Sequence, residues 1–154
     1  MSSTQVCTFR IGERIFGVQV AVVQEVFRSQ AMTSVPLAPS VVRGLINLRG
    51  EIVTALDLRR RLGLADHGAS EDPMNVVVRT TKGVVSFLVD EIGDVVSVDQ
   101  ASFEAPPETL DDEVRPFISG IFKLDHGLLV LLDVERCADV SAVAADRNRG
   151  KGDR

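Results

Sequence analysis

The sequence has no tryptophan and no tyrosine, and its seven phenylalanines are the only aromatic residues among 154. A core without larger rings must be built from Val, Leu and Ile, and β-branched enrichment favours strands over long helices. Cysteine is nearly as scarce. Cys7 and Cys137 lie far apart and outside any CxxC spacing, which excludes a disulfide-dense scaffold or a zinc ribbon. Two reduced thiols in a cytoplasmic chain are expected, although spacing leaves one disulfide open. His67 falls in a polar connector and His126 in a tight turn; neither has metal-site spacing, so no metal is expected. The longest unbroken apolar run, Leu128 to Leu132, is far below the roughly 20 residues that cross a bilayer. Residues Met1 to Gln5 lack the layout of a signal peptide, so an intracellular protein without direct membrane insertion is expected. Lys and Arg number 17 against 22 Asp and Glu, a net charge of -5, and no basic stripe with interleaved aromatics points to nucleic acid.

What the chain does have is strand pattern in globular proportions, 45% hydrophobic and 25% charged, enough for one domain or two small lobes sharing a core. Val6–Arg10 with Arg14–Gln19, Val76–Arg79 with Val84–Val89, and Ile118–Leu124 with Leu128–Leu132 each flank a Gly-containing turn and read as hairpins. Val20–Phe27 fits a short helix or a strand. Pro36 and Pro39 bracket a loop, Ser40 is placed to cap a helical turn through Arg43, and Leu45–Leu48 and Ile52–Leu56 are apolar segments. Asp57 and Asp133 are predicted caps of short helical runs to Leu62 and Cys137. Arg59-Arg60-Arg61, the one dense cationic run, reads as a solvated helix face. Residues 64–73 form a polar connector, and 140–154 a flexible tail.

The chain also matches itself. At an offset of 66, Gly17-Val18 falls on Gly83-Val84 and Val22–Val26 on Leu88–Ile92. At an offset of 76, Gly44-Leu45-Ile46 falls on Gly120-Ile121-Phe122 and Leu56-Asp57-Leu58 on Leu132-Asp133-Val134. The reading is a mainly β domain over 1–139 with a few short helices. Its lobe-like halves, about 5–63 and 74–138, would each form a small β-barrel, which removes exposed strand edges. Whether strands exchange between the halves is left open.

Catalytic constellations are missing. No Walker loop, GxGxxG or nucleophile elbow occurs. Asp90-Glu91 and Asp57 sit at segment ends where caps are the simpler reading, and Asp111-Asp112-Glu113 reads as an exposed acidic loop. The expectation is no enzyme and no cofactor.

Ile15-Phe16-Gly17-Val18, Val23-Gln24-Glu25-Val26, Val35-Pro36-Leu37-Ala38-Pro39 and above all Gly44-Leu45-Ile46-Asn47-Leu48-Arg49-Gly50 resemble the CheW-like family. Leu56-Asp57-Leu58, Leu62-Gly63-Leu64, Val89-Asp90-Glu91-Ile92 and Leu128–Val134 follow in the family's order, so the resemblance covers about 5–138. The family often has Pro and a bulkier apolar residue where this chain has Thr54-Ala55, a change expected to alter local packing. The segment Glu108–Pro116 is more acidic than the family pattern.

The resemblance implies two SH3-like, five-stranded barrels with a groove between them. It also implies a non-enzymatic adaptor in chemotaxis, found in the cytoplasm and recruited to receptor arrays at the inner membrane. Its partners would be the cytoplasmic tip of chemoreceptors, in the groove, and the regulatory domain of a CheA-type histidine kinase, on the barrel surfaces. Receptor candidates are Val20, Val23 and Val26, which recur at helical spacing, with Glu25 at their rim. Arg49 in its turn and Val85 with Phe87 on the other wall complete that set. Kinase candidates are Arg43, Gly44 and Ile46; Asn47 and Gly50 are assigned to the turn itself. Two other readings are a CheW-like regulator of a non-motility kinase pathway and a small-molecule-binding β-barrel.

Overall fold

The computed structural model describes residues 3–28, 30–65, 72–125 and 127–140. His67, His126 and all of the tail except Val140 lie outside these residues. The three expected hairpins form. β1 (Ser3–Ile11) turns at Gly12 into β2 (Arg14–Gln19). A 3-10 turn over Val20–Val22 leads into β3 (Val23–Phe27). β4 (Val42–Leu48) and β5 (Glu51–Asp57) form the next hairpin, followed by α1 (Leu58–Arg61). β6 (Met74–Thr80), β7 (Gly83–Val89) and β8 (Glu91–Asp99) come next. The short β9 (Phe103–Glu104), then β10 (Ile118–Leu124), β11 (Gly127–Leu132) and α2 (Val134–Ala138) complete the order. The helical turn expected at Ser40–Arg43 is reduced to a single turn, closed by Val42 N–H donating to Pro39 O at 2.9 Å. It feeds Arg43 directly into β4.

The strands make one sheet in the order β8-β1-β2-β11-β10-β9 and another in the order β3-β6-β7-β5-β4. We call them the first and second lobes. The first carries six strands, where five were expected, because two-residue β9 lies along β10. Neither sequence half folds alone: the hairpin β1–β2 sits in the sheet of β8–β11, and β6–β7 sits in the sheet of β3–β5. Each half therefore supplies the other's central strands.

The repeat is real, with one register moved. Asp57 and Asp133 occupy the same place at an offset of 76 and cap α1 and α2 by accepting from Arg60 N–H and Arg136 N–H. In the hairpins, however, Thr8↔Gly17 in β1–β2 corresponds to Val77↔Ser86 in β6–β7, an offset of 69 rather than 66. The glycine match at 66 follows composition, because Gly17 sits mid-strand whereas Gly83 follows a turn.

Strand alternation divides each face between two cores. On β1, Cys7, Phe9 and Ile11 join Phe16, Val76, Val78, Phe87 and Leu56 in a shared core between the lobes. The opposite faces fill each lobe separately: Val6, Val98, Phe122, Leu129 and Leu131 in the first, and Ile46, Ala55, Leu88, Leu48, Val53 and Val77 in the second.

The two helices sit at the seam, and this overturns the solvated reading of the arginine run. Arg59 and Arg61 are buried and only Arg60 is exposed. Arg59 pairs with Asp90 at 2.5 Å and donates to Ala65 O at 2.7 Å. Asp90 in turn accepts Gly12 N–H at 2.7 Å. Arg61 donates to Cys137 O and Asp139 O at 2.9 and 3.1 Å and lies 5.3 Å from the Phe117 ring centroid. Buried guanidinium groups require such partners, so Arg61 ties α1 of one lobe to α2 of the other, while Arg59 ties α1 to the corner between β7 and β8.

Candidate functional site

Residues paired across neighbouring strands share a face. On the second lobe, Val23↔Val78, Val78↔Val85, Val85↔Thr54 and Thr54↔Leu45 form one row across all five strands. Only Val78 in that row is fully buried; Val23, Val85, Thr54 and Leu45 remain half-exposed. Val23 and Val26 do share an apolar face, but not through a helix. A β-bulge between Val23 and Glu25 lets Val23 pair with Val78 and Val26 with Val76; Val23 packs against the shared core, whereas Val26 is 42% exposed. Val20 precedes them in the 3-10 turn and packs against that core.

This row forms part of a groove against α2. A cavity of about 360 Å³ is lined by Thr54 and Val85 on one side and by Glu135, Arg136, Ala138 and Asp139 on the other, with Lys82 at its rim. A second, of about 260 Å³, continues past Glu135 to Val22, Ser119 and Leu131. Glu135 is held in place by accepting Thr81 Oγ1 at 2.7 Å and Thr81 N–H at 3.1 Å. The result is an apolar floor with charged walls, at the seam between lobes. Of the Thr54-Ala55 departure, Thr54 falls on the groove floor and Ala55 is buried in the second lobe's core, where the change does alter packing.

Arg49 and Glu25 form a bidentate pair, at 2.8 and 3.1 Å. Glu25 is opposite Val77, whose side chain fills the second lobe, so it points away from the Val23–Val26 face rather than rimming it. Arg49 and Gly50, at φ +54 and +88, make a two-residue hairpin turn with both residues left-handed, the geometry that matches strand twist. Asn47 Oδ1 accepts Gly50 N–H at 2.9 Å and organises that turn.

Other sequence candidates land elsewhere. Phe87 is 0% exposed in the shared core and cannot line an open wall. Ile46 is 1% exposed inside the second lobe, and Gly44 is covered by Met32–Thr33, with Thr33 O 2.7 Å from where a Cβ would stand. Neither offers surface to a kinase. Strand alternation leaves Arg43 outward, paired with Asp57 at 3.1 Å. Sequence reading missed Thr54, Glu135 and Arg136, because nothing local shows that α2 packs beside β7. The cysteines are buried, and burial pushes the Cys137 thiol up to about 12 and the Cys7 thiol upward as well.

Two lobes that exchange hairpins around a charged-rim groove define a CheW-like scaffold. The CheW-like domain model matches residues 5–141, and the chain belongs to that family. It is 30% identical to a probable chemotaxis protein CheW from Rhizobium etli, over 85% of this chain and 84% of that protein. It is 30% identical to the chemotaxis protein CheW of Klebsiella aerogenes, over 93% of this chain and 86% of that one. The crystal structure of the scaffolding protein TtCheW from Thermoanaerobacter tengcongensis superposes with a TM-score of 0.82 at 27% identity, covering 90% of this chain and 94% of that one. Among the described residues no helix is long and apolar enough to cross a membrane.

Proposed function

We propose that this chain is a non-enzymatic adaptor of chemotaxis that couples chemoreceptors to a CheA-type histidine kinase, acting in the cytoplasm at receptor arrays on the inner membrane. The single observation that carries the reading is the groove. An apolar row ending in a charged rim suits the amphipathic helices of a receptor tip, which need anchor pockets and polar margins. Val85 and Thr54 supply the floor, with Val23 in the same row on β3; Arg49 stands at the turn that closes the same lobe. Packed lobe interiors favour docking at the surface over a small-molecule barrel. For the kinase's regulatory domain, Arg43 remains the outward candidate.

The test is reconstitution of kinase, receptor and this chain, reading autophosphorylation. Receptor control of the kinase should appear only when the chain is present. Equal control in its absence, in an assembled complex, overturns the coupling role.

A further inference from the structure

The two seams between the lobes are equivalent in backbone and different in content. Shifting the hairpins by 69 and the later strands by 76 turns Thr54↔Val85 into Val130↔Phe16, and Ala55↔Ser86 into Leu131↔Gly17. At these offsets Asp57 matches Asp133, Arg59 matches Glu135 and Leu88 matches Gln19. Arg43 matches Ser119, and each stands in a bulge of its hairpin, between Val42 and Gly44 or between Ile118 and Gly120.

Two cavities obey the same equivalence. Arg43, Asp57, Arg59 and Leu88 line one of about 30 Å³, while Ser119, Asp133, Glu135 and Gln19 line the one of about 260 Å³. The first has room for little more than a water, because the chain's own arginines occupy that seam. Arg43 sits on Asp57 at 3.1 Å, and Arg59 on Asp90 at 2.5 Å.

The two capping aspartates otherwise have matching surroundings. Each accepts the N–H three residues on, from Arg60 at 3.2 Å and from Arg136 at 3.1 Å. Each also has the Nε of that same arginine at 3.7 Å. The difference is the further partner. Under Arg43 the Asp57 side chain is 10% exposed; with Ser119 in the equivalent place, Asp133 stays 36% exposed. Glu135 also lines the open cavity but is engaged by Thr81, and among the described residues no cation lines it. Val22, Leu131 and Val134 make the remaining wall apolar. Apolar walls leading to a carboxylate suit a long cationic side chain, its stem against the walls and its head on the acid.

We propose that this cavity takes an arginine from the helix of the receptor tip, seated on Asp133 as Arg43 is seated on Asp57. The inference rests on the receptor-groove reading, because the cavity continues past Glu135 into the groove floored by Thr54 and Val85. It adds a requirement to that reading: the docking helix carries a guanidinium beside its apolar anchors. The chain fills one seam with its own arginine and leaves the equivalent place at the other for its partner.

Ser119→Arg transfers the closed seam's arginine to the open one. The variant should keep the wild-type circular dichroism spectrum and melt above wild type. Adding Asp133→Asn should remove that gain while keeping the cap, since asparagine accepts the same bond. A purified receptor cytoplasmic fragment should bind Ser119→Arg and Asp133→Asn each about tenfold or more weakly than wild type, as for a lost charged hydrogen bond. A Ser119→Arg effect on melting that is the same with and without Asp133→Asn shows that the cavity does not seat a guanidinium and overturns the proposal. So does either variant binding the fragment as tightly as wild type; the groove reading then still stands if Thr54→Arg blocks binding. Wild type that fails to bind the fragment overturns the groove reading and, with it, the receptor as source of the arginine. Were Arg147→Ser with Arg149→Ser to lower the melting temperature of wild type but not of Ser119→Arg, the chain's own tail would be the occupant, which also overturns the assignment.

Discussion

Glu25 and Arg49 join opposite edges of one sheet. Glu25 lies on β3 and Arg49 follows β4, the two outer strands of the order β3-β6-β7-β5-β4, yet their side chains meet at 2.8 Å. No backbone ladder links those strands, so the ion pair closes the second lobe where hydrogen bonding does not. Arg49 keeps 78% of its side chain exposed while Glu25 keeps 20%. A partner's carboxylate therefore has access to the guanidinium from outside.

An exposed pair contributes only about 0.2–1 kcal/mol to stability. Arg49→Ala should consequently melt near wild type by far-UV circular dichroism. Its receptor affinity should fall about tenfold or more, as expected when a charged hydrogen bond of about 1.5–3 kcal/mol is lost. Exchanging the charges, with Glu25→Arg and Arg49→Glu together, should keep the melting temperature near wild type without restoring receptor binding. If exchange rescues binding too, the pair acts by closing the lobe and not by touching the receptor.

Thr54→Arg should block the groove. Thr54 is half-exposed on the floor of the cavity of about 360 Å³, so a long side chain can enter it without displacing core. Loss of receptor binding by at least about tenfold is expected, roughly 1.4 kcal/mol, with binding of a kinase regulatory domain retained. Equal receptor affinity for wild type and variant would move the receptor site off this face.

Two glycines at the same position of the repeat should respond differently to alanine. A Cβ on Gly44 would meet the backbone at Thr33 O, 2.7 Å away, whereas the three atoms nearest to one on Gly120 all belong to the Phe103 ring. Phe103 is 41% exposed and can rotate outward; the Thr33 carbonyl is fixed by the bridge to Leu45. Gly44→Ala should cost about 1–3 kcal/mol, the usual range for overpacking, and Gly120→Ala less. Thermal melts of the two variants give the comparison directly, and the reverse order would show that the Met32–Thr33 segment yields easily.

Both cysteines should resist thiol reagents in the folded protein at mildly alkaline pH and react on denaturation. Burial raises the Cys137 thiol from 9.0 to about 12, so the folded state disfavours the thiolate that the unfolded chain forms freely. The unfolded state then binds fewer protons between these values. Stability is full below pH 9 and declines as pH rises from about 9 toward 12. Cys137→Ala should flatten that decline in alkaline denaturation curves; an unchanged slope would assign it to other groups.

The sequence by itself determined the β-rich class, the hairpins, the caps at Asp57 and Asp133 and the Asn47–Gly50 turn. All of these rest on residues within a few positions of one another, through strand alternation, side-chain caps and left-handed turn geometry. It also carried the repeat, and with it the family resemblance. Tertiary structure alone decided which hairpin enters which sheet, since β1–β2 and β6–β7 have equivalent patterns and each could satisfy either lobe. That exchange buries Phe87 and Arg61, brings α2 beside Val85 and Thr54, and places Arg59 on Asp90. None of these contacts is local, and two of the charges that looked solvated in a run of three arginines, Arg59 and Arg61, became the ties across the seam. The bulge at Gln24 shows the same limit at close range. A three-residue spacing suggested a helix, but one extra residue in a strand puts Val23 and Val26 on the same face, and only the pairing with Val78 and Val76 reveals it.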